Sequence, residues 1–422
     1  MTGRALPPLV SERLTEGAAG VTSVCSAHPL VIEAALLHGA RAARRVLIEA
    51  TCNQVNQEGG YTGMTPADFR GFVETIASRI GFDPSRIVLG GDHLGPNPWK
   101  GLPAEEALAR AEAMVAAYAR AGFSKIHLDA SMGCAGEPAS VPDSVAAQRA
   151  GRLAEVAEAA GAPRPIAYVV GTEVPAPGGA GDALEVHVTE PDAARATIEA
   201  HEKAFRARGL EAAFARVIAL VVQPGVEFGA SEVVRYDRAK ARRLSAALDD
   251  LPQFVFEAHS TDYQTRGALA ALVADGFAIL KVGPALTFAL REALYGLDHI
   301  AGALVGPADW ESLRDVMERA MTENPRHWAG YYGGGPTEQR LLRHFSLSDR
   351  IRYYWAKPQA VQAVDRLLER LGGLRIPPPL AHQFLPGFDL DTDVPLTARD
   401  SICAAVVRVL GDYSAACAKP TR

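Results

Sequence analysis

Cysteine is scarce: five residues (Cys25, Cys52, Cys134, Cys403 and Cys417) in a chain of 422, with no C-x-x-C spacing. That excludes a disulfide framework and a zinc ribbon, and it fits reduced thiols. Cys25, Cys52 and Cys134 fall at predicted strand ends, where a buried thiol is usually a small hydrophobe rather than a soft-metal ligand. No apolar run is long enough to span a bilayer, which argues against a membrane protein. Met1 to Val10 lacks the charged, apolar and cleavage zones of a secretory leader, so the expected location is cytoplasmic. The formal net charge is -6, so no global positive field favours nucleic acid. No G-x-x-x-x-G-K-[ST] loop is present to cradle a nucleotide phosphate. Gly333-Gly334-Gly335-Pro336 lacks both the lysine and a preceding strand, and reads as a loop.

What the chain has in quantity is apolar residues, 48% of the total, arranged in alternating short and long stretches. Eight short runs read as strands: Val21 to Cys25, Val46 to Ile48, Ile87 to Leu89, Lys125 to Leu128, Pro165 to Val170, Val217 to Val222, Phe254 to Phe256 and Phe277 to Leu280. Each is followed by a stretch of helical periodicity. Some helix starts are marked by caps, such as Thr65 before Pro66, with Asp143 or Ser144 opening another. Continuous apolar strands imply a parallel sheet covered on both faces. Eight strand–helix units by about residue 300 predict a (β/α)8 TIM barrel over residues 1–300, with a helical C-terminal extension or lid over 301–422.

A barrel of this type works at the C-terminal ends of its strands. The expected ends carry His28, Glu49, Asp92 with His93, Asp129, Glu173, Gln223, Glu257 with His259, and Lys281. Asp92 and His93 stand in Gly90-Gly91-Asp92-His93-Leu94-Gly95-Pro96. An Asp–His pair there supplies a general acid or base and a metal ligand, if the strand end bends enough to turn both into one cleft. Lys281 is a candidate for Schiff-base chemistry, which needs a neutral amine. Carboxylates around it favour the alternative of an ion pair.

The extension mixes aromatics with arginine around Ser346 to Trp355. Arginines packed over aromatics, a lid, and a contact between copies of the chain in a homo-oligomer all stay open. Pro377-Pro378-Pro379 reads as a stiff linker before a last helix from Ala398 to about Val409.

The runs Cys25 to Ala35, Glu49 to Asn56, Gly59 to Arg70, Gly90 to Asn97 and Phe123 to Met132 resemble the Z-type subunit family of tagatose-bisphosphate aldolases. So do Gly171 to Pro175, Val222 to Phe228, Phe256 to Arg266, Ile279 to Glu292 and Ser346 to Trp355. The resemblance implies a component of galactitol, N-acetylgalactosamine or tagatose catabolism that supports a separate class II aldolase catalytic subunit. Some members carry the label tagatose-6-phosphate kinase, and relatives are described as metal-dependent ketohexose 4-epimerases. By similarity to class II aldolases, it implies a divalent metal (Zn, Mn, Ni or Mg) held by His93, His259 and one of Glu173 or Glu257. Asp92 would be the acid–base group, with Glu173 and Lys281 as further catalytic candidates. His28, Glu49, Asp129, Gln223, Ser260, Asp262 and Gly283 would bind a ketose or ketose phosphate, with any phosphate near Ser260 and Gly283.

Overall fold

A computed structural model describes residues 6–15, 18–171, 186–306, 309, 311–391 and 394–419. Eight parallel strands close into a barrel: β1 (Val21–Val24), β2 (Val46–Thr51), β3 (Ile87–Leu94), β4 (Lys125–Leu128), β5 (Ala167–Val170), β6 (Val217–Val222), β7 (Val255–Ala258) and β8 (Ile279–Val282). Their order around the barrel follows the sequence, and β8 pairs with β1 through Val21 opposite Ile279 and Val24 opposite Val282. The expected fold is therefore observed. β3 and β8 run further than the apolar pattern predicts, which carries Asp92, His93 and Lys281 inside strands rather than beyond them.

The helices α1 (Pro29–Arg41), α2 (Pro66–Ile80), α3 (Ala104–Arg120), α4 (Asp143–Ala159), α5 (Pro191–Arg206), α6 (Arg238–Ala247), α7 (Arg266–Ala274) and α8 (Pro284–Val305) follow the strands in turn. Local chemistry sets several starts. Thr65 and Asp68 form a reciprocal capping box on α2, with Pro66 in the first turn. The His28 ring caps α1 by accepting the Leu30 amide at 3.2 Å. The expected cap on α4 is corrected: Pro142 holds that position and Asp143 is already helical. A second core fills the lower barrel with Leu47, Val88, Val169, Val221 and Ile279. Val10 and Leu14, from the helical turns Pro8–Val10 and Ser11–Thr15, pack into the same cluster.

The rest of the chain adds α9 (Leu313–Glu323), α10 (Pro336–Phe345), α11 (Pro358–Leu371) and α12 (Ala398–Cys417). Two expectations need correction. Pro377 to Pro379 is no linker: Pro377 is the N-cap and Pro378 the first residue of a helical turn, Pro378–Phe384, because proline suits a first turn whose N–H has no partner. The last helix also runs well past Val409. It packs against α1, α7, α8 and β1, and so closes the outer ring on the barrel's side instead of lying at its mouth. The Tyr413 hydroxyl anchors it by donating to the Thr261 carbonyl at 2.7 Å. The mouth is instead narrowed by the turn Arg350–Tyr354, which follows α10.

Candidate active site

Polar side chains occupy the upper barrel in two tiers. In the lower tier Glu49, Lys125 and Glu257 are all 0% exposed. Lys125 Nζ lies 2.5 Å from Glu49 Oε1 and 2.7 Å from Glu257 Oε2. Gly90 sits in register between Glu49 and Lys125, and a Cβ there would fall 2.7 Å from Glu49 Cγ. Glycine at that point is what lets the two charges meet. Lys281 joins from β8: its Nζ pairs with Glu49 Oε2, lies 2.7 Å from Asp92 Oδ1 and is 3.7 Å from Glu257 Oε1. Burial opposes the charge on both ammonium groups, yet the surrounding carboxylates hold their pKa values above the ordinary lysine value.

The upper tier is a cluster of imidazoles. His93, His127 and His259 stand mutually edge-on, with ring centroids 4.8, 5.0 and 5.4 Å apart. One donor atom from each, with one carboxylate oxygen of Asp92, falls within a 4.8 Å sphere of mutual separation. The strand end does bend as the Asp–His reading requires. His93 has φ 51°, in the left-handed region, where the β3–β4 register shifts between Gly91 and Leu94. The turn brings Asp92 and His93 to the same cleft at the cost of about 1 kcal/mol of backbone strain. Ser260 repeats the device after His259, with φ 50°.

Hydrogen bonds orient each ring. His93 Nδ1–H donates to Asp129 Oδ2 at 3.0 Å, and Asp129 in turn accepts the Ser131 hydroxyl at 2.8 Å. His259 Nε2–H donates to Glu257 Oε1 at 3.0 Å. His127 Nε2–H donates to the Gly171 carbonyl at 2.8 Å, and its Nδ1 lies 3.2 Å from Asp92 Oδ1 and takes the His93 amide at 3.3 Å. Fixing Nδ1 of His93 and Nε2 of His259 sets the direction of each ring's other nitrogen, which is how ligating histidines are held, whereas the Nδ1 lone pair of His127 takes the His93 amide. Burial pushes His259 down to about 3, so it is a neutral donor. Burial also opposes the charge of Asp92, but His93, Lys281 and His127 hold its carboxyl well below the usual range. Nitrogens of His93 and His259 with a carboxylate oxygen of Asp92, buried and with His127 beside them, fit a divalent ion of the imidazole-preferring kind.

The remaining candidates are placed as follows. His28 caps α1 and lines an adjoining chamber with Trp355, 6.3 Å away centroid to centroid. Gln223 shapes the turn after β6, its Oε1 accepting the Gly225 and Val226 amides at 2.8 and 3.0 Å. Asp262 Oδ1 accepts the Gly283 and Ala285 amides at 3.0 and 2.8 Å, so a side chain already takes the N-terminal donors of α8. Ser260, Asp262 and Gly283 all line the chamber over Asp92. Cys25 lies beside Glu49 and Asp92, with its thiol pushed far up by burial. Glu173 lies outside the described residues. His127 and Lys125 are not among the sequence candidates, although Lys-Ile-His-Leu puts two polar side chains on one face of an apolar strand. That alternation was the available signal.

A closed parallel barrel with oriented imidazoles and an ion-paired Asp92 at its mouth defines a TIM-barrel protein whose site carries donors suited to a divalent metal. The chain belongs to the D-tagatose-1,6-bisphosphate aldolase subunit GatZ/KbaZ-like family, whose profile matches residues 6–418. It is 55% identical over 416 residues to the D-tagatose 6-phosphate 4-epimerase of Agrobacterium fabrum, covering 97% of this chain and 98% of that one. The crystal structure of a probable tagatose 6-phosphate kinase from Sinorhizobium meliloti superposes with a TM-score of 0.88 at 58% identity, over 94% of this chain and 100% of the other. The fructuronate–tagaturonate epimerase UxaE of Cohnella laeviribosi shares the fold alone, with a TM-score of 0.51 at 12% identity over 98% of this chain and 83% of the other.

Proposed function

We propose that this protein is a metal-dependent 4-epimerase that interconverts D-tagatose 6-phosphate and D-fructose 6-phosphate by retro-aldol cleavage and re-addition. The observation that carries the reading is the cluster of three oriented imidazoles beside the ion-paired Asp92. The name of the Agrobacterium relative supports the same reaction and substrate. His93 and His259 would hold the ion, with His127 beside them and Glu257 orienting His259. When bound, a divalent ion there polarises the ketose C2 carbonyl and steadies the negative charge that develops on it.

The chain's own residues handle the proton. Asp92 takes the C4 hydroxyl proton as the C3–C4 bond breaks. The bonding pair passes to C3 and the C2 oxygen, and C4 becomes an aldehyde. Turning that aldehyde exposes its other face. Re-addition re-forms C3–C4, and Asp92 returns its proton to the new C4 alkoxide. Lys281 acts as a positioning residue here. Held as an ammonium by Asp92, Glu49 and Glu257, it is a poor Schiff-base nucleophile but keeps the Asp92 carboxylate ionised and aimed.

The test is conversion of D-tagatose 6-phosphate by protein loaded with Zn, Mn, Ni or Mg, read by a coupled assay for D-fructose 6-phosphate. Asp92→Asn should lose about 10²- to 10⁴-fold in kcat. No conversion with any of the four metals rejects the reading; conversion undiminished in Asp92→Asn rejects the role of Asp92. Family membership supports a second reading, a partner for a class II aldolase catalytic subunit. Co-expression followed by size exclusion tests that, and separate elution with no gain in aldolase activity excludes it.

A further inference from the structure

Two chambers meet at the barrel mouth, and the lysines and arginines in their walls are unequally compensated. The chamber over Asp92, His93 and His259, about 150 Å3, has Lys281 and Arg352 in its wall. The adjoining chamber, about 270 Å3, has Arg79, Arg352 and Arg399. Lys281 faces three carboxylates. Arg79 and Arg399 both bind Glu33, the latter at 2.6 Å. Arg352 belongs to both walls. Among the described residues, no carboxylate oxygen lies within the 4.0 Å ion-pair distance of its guanidinium. Its hydrogen bonds go to neutral acceptors: the Ser348 carbonyl, the Asp349 carbonyl at 3.1 Å and the Tyr353 hydroxyl at 2.9 Å. These seat the group without placing a carboxylate in contact with it, and they use only part of its five N–H donors.

The usual alternative in a barrel is filled. Phosphate commonly meets backbone amides after the seventh and eighth strands, at a helix N-terminus. Here the Gly283 and Ala285 amides are taken by Asp262. A phosphate entering this mouth therefore finds, at the junction of the chambers, a guanidinium with no carboxylate in contact, which Asp349 and Asp262 offset only from a longer distance. We propose that Arg352 recognises the phosphate of the sugar phosphate, with the reacting carbons over His93 and His259 and the phosphate at the junction. This deepens the epimerase reading and rests on it for the identity of the substrate.

The test compares D-fructose 6-phosphate with D-fructose on the full-length, metal-loaded protein, using ligand-observed NMR for both affinities. Arg352→Gln should weaken binding of the phosphate roughly 10- to 100-fold and leave D-fructose unchanged. Arg352→Lys, which keeps the charge but loses the fork, should fall between. Equal loss for both sugars marks a merely structural residue and overturns the proposal, as does unchanged binding of the phosphate. If circular dichroism shows Arg352→Gln unfolded, the selective loss in Arg352→Lys decides on the same terms. Conversion of D-tagatose 6-phosphate by the wild type is scored separately. Arg352-dependent binding without conversion sinks the epimerase reading alone, and conversion with Arg352-independent binding sinks this proposal alone.

Discussion

Lys125 offers the sharpest test of the buried charge network. It is 0% exposed and bridges Glu49 and Glu257 at 2.5 and 2.7 Å. At an effective dielectric near 20, each contact is worth about 6 kcal/mol of attraction. Several kcal/mol of that is offset by taking the ammonium out of water. Lys125→Met keeps the side-chain length and most of the volume, so it opens little cavity. It leaves Lys281 as the one ammonium, among the described residues, facing Glu49, Glu257 and Asp92. The expected cost is about 3–5 kcal/mol, the usual result of stripping one partner from a buried pair. Equilibrium urea unfolding followed by tryptophan fluorescence measures it. Adding Glu257→Gln to Lys125→Met should restore part of the loss, because the orphaned charge is removed. Salt should change neither value, since the network is shielded from solvent. A cost under about 1 kcal/mol for Lys125→Met, with no restoration in the double variant, would mean that the carboxylates already share protons and that this account of the network is wrong.

Asp349 and Gly95 give two further predictions. Asp349 is buried against Thr287 and Arg291, and burial pushes its carboxyl up to about 7. Its contribution is fully present below the unfolded carboxylate pKa and is lost as pH rises through the folded one. The Asp349→Asn variant should therefore gain on the wild type by up to about 1.4 kcal/mol per pH unit across that window, measured by urea unfolding at a series of pH values. Parallel profiles would exclude it. A Cβ on Gly95 would stand 1.6 Å from the Asp129 carbonyl oxygen, so Gly95→Ala must part β3 from β4 and loosen the carboxylate that orients His93. A loss of about 1–3 kcal/mol in stability is expected, with weaker divalent-ion binding in competition with a chromogenic chelator. Unaltered ion affinity would detach Asp129 from the site.

Much of the barrel is written locally in the chain. The apolar runs fix where strands lie, and the Thr65–Asp68 box with Pro66 fixes where α2 starts. The Asp92–His93 pair is legible because charged residues flanked by glycine at a strand end have few structural uses. What escaped has a common cause. Lys125 and His127 lie within the body of β4, where side chains normally pack, and only their alternation marks them as facing the barrel interior. Their partners, Glu49 and Glu257, are distant in sequence and meet them only once the barrel closes. The docking of α12 in the outer ring is also non-local. Nothing in Ala398 to Cys417 says that it will lie against α1 and α7. Ser260 and Asp262, expected to contact substrate, line the chamber, and Asp262 also caps α8 through the Gly283 and Ala285 amides.

A site that breaks C3–C4 serves as an aldolase when the fragments leave and as an epimerase when they stay. On the proposed mechanism the proton transfer at Asp92 is the same in both, so the distinction would lie in the walls. In the proposed reaction the aldehyde must turn without escaping. The Arg350–Tyr354 turn narrows this mouth: Tyr353 stacks on His327 at 4.9 Å and meets Tyr61 edge-on at 5.0 Å, while both Tyr61 and Tyr353 line the chamber. The phosphate sits on the fragment that has to turn, two bonds of carbon chain away from C4. A guanidinium anchoring that phosphate at the chamber junction would tether the aldehyde by its far end and leave C4 to rotate. A family described as an aldolase subunit and a relative named as an epimerase are then compatible with one reaction centre. On the proposed mechanism, what would separate them is how long the second fragment is held.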